Sequence, residues 1–157
     1  MSSSNWLEDK DLVNDFTTNI NQRTEELFRI PDMELDSDGC FVAPVVVLRE
    51  NVIFPKMITP VFVGQQKNLE SLRYGLENEQ TVITLIPKDP EKEFPVKKSD
   101  FYPVGLEIAV GRLVNLPEEH FSTLVQGRRR VILMDIVRRS PVLMARVYVS
   151  EVEAKKS

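Results

Sequence analysis

The side chains that could do chemistry are few, and their spacing builds no reaction centre. His120 is the only histidine in 157 residues, so a Ser-His or Cys-His nucleophile pair would have to form around it. It follows Glu118 and Glu119 with no G-x-S-x-G motif anywhere in the chain, and reads as an exposed turn residue. Cys40 is the only cysteine, so it can neither close an internal disulfide nor give zinc a pair of thiolates. The carboxylates lack an EF-hand pattern. The six glycines contain neither a G-x-x-x-x-G-K-[ST] loop nor a G-x-G-x-x-G turn. No catalytic residue, metal ligand or cofactor site is expected within these residues.

Binding chemistry remains. Residues 51–57 form an apolar loop between two apolar runs, and Val52, Ile53, Phe54, Met57 and Ile58 could present one surface to a partner. Methionine suits variable partners because it is flexible and polarisable. The same residues could instead fill a core, since exposed apolar patches are uncommon on monomers. Lys67 and Arg73 lie on the polar side of the helix that follows, where they would border any groove or simply be solvated. Arg128, Arg129 and Arg130 form a basic run. Three arginines are a thin footprint for nucleic acid at a pI near 5.2, and no exposed aromatics are interleaved with them for base stacking. A solvated hairpin corner, with Arg130 the candidate for inward pairing, is the expectation.

The elements that must position these residues are mostly strands. Leu12, Val13, Phe16 and Ile20 fall at helical spacing, and Leu27 and Phe28 resume the pattern, so residues 5–30 read as helix with Ser4 as its N-cap. Pro31 and the Asp36-Ser-Asp-Gly39 turn end it. From Cys40 the texture changes to short β-branched runs over 44–48, 58–63, 81–86, 106–110, 121–126, 131–137 and 142–152. Pro60 limits its strand to an edge or a strand start. Leu69, Leu72 and Leu76 share one face of a helix over 65–77. Residues 87–103 read as a long loop. Leu106, Ile108 and Val110 alternate with Glu107 and Ala109, and the phase change at Gly111 suggests a bulge. Six or seven short strands with one internal helix fit a small closed β-barrel, because closure removes exposed sheet edges.

Composition sets the broad class. A hydrophobic fraction of 42% and a charged fraction of 28% are those of a globular domain. No apolar run approaches the ~20 residues that span a bilayer, and the N-terminus resembles neither a secretory signal nor a transit peptide. A cytoplasmic location is the default. Residues 1–40 hold ten acidic and three basic side chains, residues 41–157 fourteen and seventeen. Residues 1–39 therefore read as an acidic arm, partly helical or flexible, in the simplest reading a solubilising one, with weak attraction to the rest as the alternative.

Four blocks carry a family resemblance. The run Pro44-Val-Val-Val-Leu-Arg-Glu-Asn-Val-Ile-Phe-Pro-Lys-Met-Ile-Thr-Pro-Val-Phe-Val-Gly64 resembles the start of the N-terminal domain of Lon-type ATP-dependent proteases. Gln66-Lys-Asn-Leu-Glu-Ser-Leu72 is similar to that domain's first barrel helix. Tyr102-Pro-Val-Gly105 is similar to its Val-Gly strand start, and Leu124-Val-Gln-Gly-Arg-Arg-Arg-Val131 to its Val-x-Gly-x-x-Arg corner. The resemblance implies a PUA-like barrel over 40–152, with 153–157 beginning a downstream helical segment. It implies a non-catalytic substrate-recognition and assembly role within a ring-shaped, hexameric protease that degrades unfolded or degron-bearing proteins. ATP and magnesium would belong to the parent's ATPase module and cleavage to a Ser-Lys peptidase module, neither of which is in these residues. An excised N-terminal fragment is expected. A stand-alone adaptor or ligand-binding barrel is the alternative, and an RNA-binding module of PUA type the third reading.

Overall fold

The computed structural model describes residues 24–49 and 52–150. Seven strands form a single sheet: β1 (Cys40–Val47), β2 (Ile58–Val63), β3 (Val82–Leu85), β4 (Val104–Val110), β5 (Val114–Leu116), β6 (His120–Arg138) and β7 (Met144–Val149). One helix, α1 (Gln66–Glu77), interrupts them. Residues 24–28 are helical and 29–30 are a turn and a bend, so the helix expected over 5–30 stops two residues early; its part over 5–23 lies outside the described residues, as does the expected start of a helical segment at 153–157.

The sheet closes. β1 pairs parallel with β3 and antiparallel with β7, β3 pairs with β4, β4 with β6, and β6 returns to β7. β2 and β5 attach only to the first half of β6. Pro60, which has no N–H to give, thus sits on a strand with one partner. The parallel β1–β3 pair needs a crossover, and β2 and α1 supply it.

Two cores flank β1, which is why it reads as a continuous apolar run. Phe41, Ala43, Val45 and Val47 point into the barrel with Leu85, Val131 and Val147. Val46 and Leu48 face the other way, under Leu69 and Leu72 of α1 and Val61 and Val63 of β2. Asn68 fixes α1 in place: its side-chain oxygen accepts the Val47 N–H at 2.8 Å and its amide donates to the Val47 carbonyl at 2.9 Å.

Three local expectations change. Residues 121–126 and 131–137 are one 19-residue strand, not two strands around a corner. The register slips between Leu106 and Ile108, which pair with Arg130 and Gly127. The bulge therefore lies at Arg128–Arg129 on β6, and Gly111 merely ends β4, donating to the Leu124 carbonyl. Alternation in β4 does not mean one wet face: Leu106 to Val110 are all buried, because residues 27–33 cover Glu107 and Ala109.

Candidate functional site

Residues 52–57 lie along β6 through a backbone tie. The Lys56 N–H donates to the Gly127 carbonyl at 2.8 Å, and the Gly127 N–H donates to the Met57 carbonyl at 2.9 Å. A Cβ on Gly127 would collide with the Phe54 carbonyl, so only glycine lets the two backbones approach this closely. Gly105 has the same role one strand away, where a Cβ would collide with the Thr84 carbonyl. These are the glycines of the Val-x-Gly-x-x-Arg and Val-Gly blocks, and their need is steric.

The tie sorts the loop side chains. Ile53 is 8% exposed and belongs to the core under α1. Its neighbours Val52 and Phe54 are 58% and 56% exposed. They stand beside a cavity of about 170 Å³ whose wall is completed by Ile86, Val104 and Arg130. Arg130 is the only charged residue in that lining. The core account therefore holds for Ile53, while Val52 and Phe54 are left exposed.

Met57 and Ile58 are partly exposed on the far side of the tie and do not line this groove. Arg73 places its guanidinium over the Phe121 ring, 5.6 Å from the centroid, in a separate depression beside Gly64 and Leu69. Lys67 lies in a third, with Phe94 and Val96. The structure thus gathers Val52, Ile53 and Phe54 and leaves Met57, Ile58, Lys67 and Arg73 elsewhere. Ile86 and Val104 were not singled out by sequence. Their apolar character beside predicted strand ends was the available signal, but only the fold sets them around the same cavity as Phe54. Arg49 also has a positioning role: it donates to the carbonyls of Pro90, Lys92 and Glu93 and to Gln65 Oε1, pinning the proline-containing loop to the end of β1.

The arginine run is not a solvated corner. Arg128 pairs with Asp32 at 2.9 Å and donates to the Leu27 carbonyl at 2.7 Å. Arg129 pairs inward. It meets Glu107 at 2.7 Å and donates to the Met33 carbonyl at 2.8 Å. Glu107 is fully buried and also accepts from Thr81 Oγ1 at 2.6 Å and the Met33 N–H at 3.0 Å. Arg146 reaches Asp36 at 2.8 Å and Asp38 at 3.3 Å, and Arg112 reaches Glu26 at 2.8 Å. This seam holds the acidic residues 26–38 against the barrel. The Cys40 N–H and then Arg146 hold the Asp36 carboxyl below its usual range.

His120 is exposed at the start of β6, and Cys40 is buried. Among the described residues, no helix is long and apolar enough to cross a membrane.

Known proteins resemble this chain in sequence and fold. The family model described as the ATP-dependent protease La (LON) substrate-binding domain matches residues 42–157. The Lon protease of Anaeromyxobacter dehalogenans (strain 2CP-C) is 33% identical over 68% of this chain and 12% of its own length. That of Aquifex aeolicus (strain VF5) is 30% identical over 80% of this chain and 15% of its own. The chain therefore spans about an eighth of the length of such relatives. Two solved structures share the fold. The N-terminal domain of Mycobacterium avium complex Lon protease superposes with a TM-score of 0.51 at 14% identity, covering 71% of this chain and 55% of that one. The Lon N-terminal domain protein from Xanthomonas campestris gives 0.52 at 15%, covering 70% and 59%. That family model covers most of the length of this chain, which therefore belongs to the Lon substrate-binding domain family.

Proposed function

We propose that these residues are the non-catalytic substrate-recognition and assembly module of a Lon-type ATP-dependent protease, and that the groove beside Val52 and Phe54 receives apolar side chains of unfolded or degron-bearing proteins. One observation carries this reading. Two large apolar side chains are more than half exposed beside a preformed cavity, while the residue between them is buried. At about 170 Å³ the cavity is smaller than the ~300 Å³ or more typical of small-molecule sites. It suits one apolar side chain of a passing polypeptide. Affinity for one copy is then low, and a hexameric ring presenting several copies would supply the grip. ATP binding and peptide cleavage would reside in other modules of the protease. Nucleic acid is a poorer partner, because Arg128 and Arg129 are spent on residues 27–33.

The test is an NMR titration of the 157-residue chain with an unfolded polypeptide. Shift changes are expected at 52–54, 86 and 104–106. In a Val52→Ala, Phe54→Ala double variant they should vanish with thermal stability nearly unchanged. Undiminished binding by that variant overturns the assignment of the groove.

A further inference from the structure

We infer that the wide depression where β4 begins is a second binding site, for acidic segments of protein chains. It has a volume of about 620 Å³. Its floor is apolar: Phe101 and Leu133 are 2% exposed and Ile136 8%. Its rim carries the exposed cations Lys88, Lys97, Lys98 and Arg139 against one carboxylate, Asp135.

These cations are brought together by the fold. Three come from the loop after β3 and one follows β6. Backbone contacts set the loop in place, with the Lys88 N–H donating to the Asp100 carbonyl at 2.8 Å and Pro87 bridging to Phe101. The charge is also left uncompensated. Asp100, the nearest carboxylate in sequence to Lys97 and Lys98, is occupied by Lys92 Nζ at 2.8 Å and by the N–H groups of Val96 and Lys97. Asp135 accepts the Ile136 N–H. Among the described residues none of the four rim cations has an ion pair. Lys92, Arg112, Arg128, Arg129 and Arg146 all do. In a chain of net charge −4, a concave surface with four unpaired cations over apolar side chains has a specific electrostatic complement.

The rim chemistry selects the occupant. Three of the four cations are lysines, compact charges on flexible stems that follow carboxylates at varied spacing better than they grip one phosphate. The sole aromatic residue in the lining, Phe101, is buried, so no ring is offered for base stacking. An extended glutamate- or aspartate-rich segment satisfies both surfaces, with its carboxylates on the rim and its methylenes over the floor. No residue lines both this depression and the apolar groove, so the inference stands independently of the groove reading.

Fluorescence anisotropy on the 157-residue chain tests it, with a short glutamate-rich peptide, its glutamine counterpart and a single-stranded oligonucleotide of equal length. The glutamate peptide is expected to bind, the glutamine peptide not, and binding should weaken as salt rises. Lys88→Glu with Lys98→Glu should lower affinity about tenfold, the effect of turning two exposed attractions into repulsions. Lys56→Glu, outside the depression, and the Val52→Ala, Phe54→Ala pair should leave it unchanged. Equal binding of the glutamine peptide, or indifference to the Lys88 and Lys98 changes, overturns the site. Tighter binding of the oligonucleotide overturns its assignment to protein.

Discussion

The groove beside Phe54 and the seam beneath residues 26–38 are held by opposite means. In the groove, backbone hydrogen bonds fix a loop so that apolar side chains stay in water. In the seam, side-chain ion pairs, with Glu107 buried among them, fix the segment 26–38 to the barrel. Backbone fixing spares the side chains for a partner, whereas ionic fixing consumes them. The comparison explains why the arginine run, conspicuous in sequence, is largely structural, while Val52 and Phe54 remain available.

The largest test strikes the seam. Glu107→Ala would leave Arg129 and Thr81 without the carboxylate that three donors now share. Removing one partner of a buried pair costs about 3 kcal/mol or more, reduced here because the Arg129 side chain is 27% exposed. Chemical denaturation should show a loss near 3 kcal/mol, and the Met33 amide should lose protection from hydrogen exchange. A loss under about 1 kcal/mol, the range of a surface pair, would mean that the seam is held by Leu27 packing instead.

The groove counterpart is Gly127→Ala. The added methyl would push the Phe54 carbonyl away, and overpacking of this kind costs about 2 kcal/mol. Stability should fall less than in Glu107→Ala, yet groove binding should disappear because the tie at Lys56 and Met57 opens. A variant that binds normally would show that the tie does not shape the groove.

The difference between the regions also decided what was legible in sequence. Strand positions were readable because the two cores impose apolar runs, and 58–63 matches β2 residue for residue. The loop was readable as a contact candidate because Phe54 and Val52 are apolar where a turn would be polar. Its division was not, since Ile53 differs from its neighbours only in which side of the Gly127 tie it falls. The seam was legible only as a charge imbalance between residues 1–40 and the rest, and its individual pairings were not legible, for another reason. Glu107 alternates with Leu106 and Ile108 as a solvent-facing residue would. Its partners are 22 to 74 residues distant, and no local spacing records such a pairing.

The smallest effect compares two carboxylates, Asp36 in the seam and Asp100 in the loop after β3. Asp100 is held down to about 2, first by Lys92 and then by the Lys97 and Val96 N–H groups. Asp36 is lowered chiefly by the Cys40 N–H, with Arg146 a lesser cause. Both are carboxylates whose folded value lies below the unfolded ~3.9. Each therefore contributes stability that is present above that value and is lost as pH falls through the folded one, between about 4 and 2 for Asp100. Lys92→Met should move the Asp100 carboxyl well up toward its ordinary range in an NMR titration. Arg146→Met should move Asp36 less, because the largest cause there, the Cys40 N–H, remains, whereas Lys92→Met removes the largest cause at Asp100. Equal movement would mean that the seam carboxylate depends on its arginine as heavily as Asp100 depends on its lysine, and the turn at 36–40 would then contribute little to docking the acidic segment.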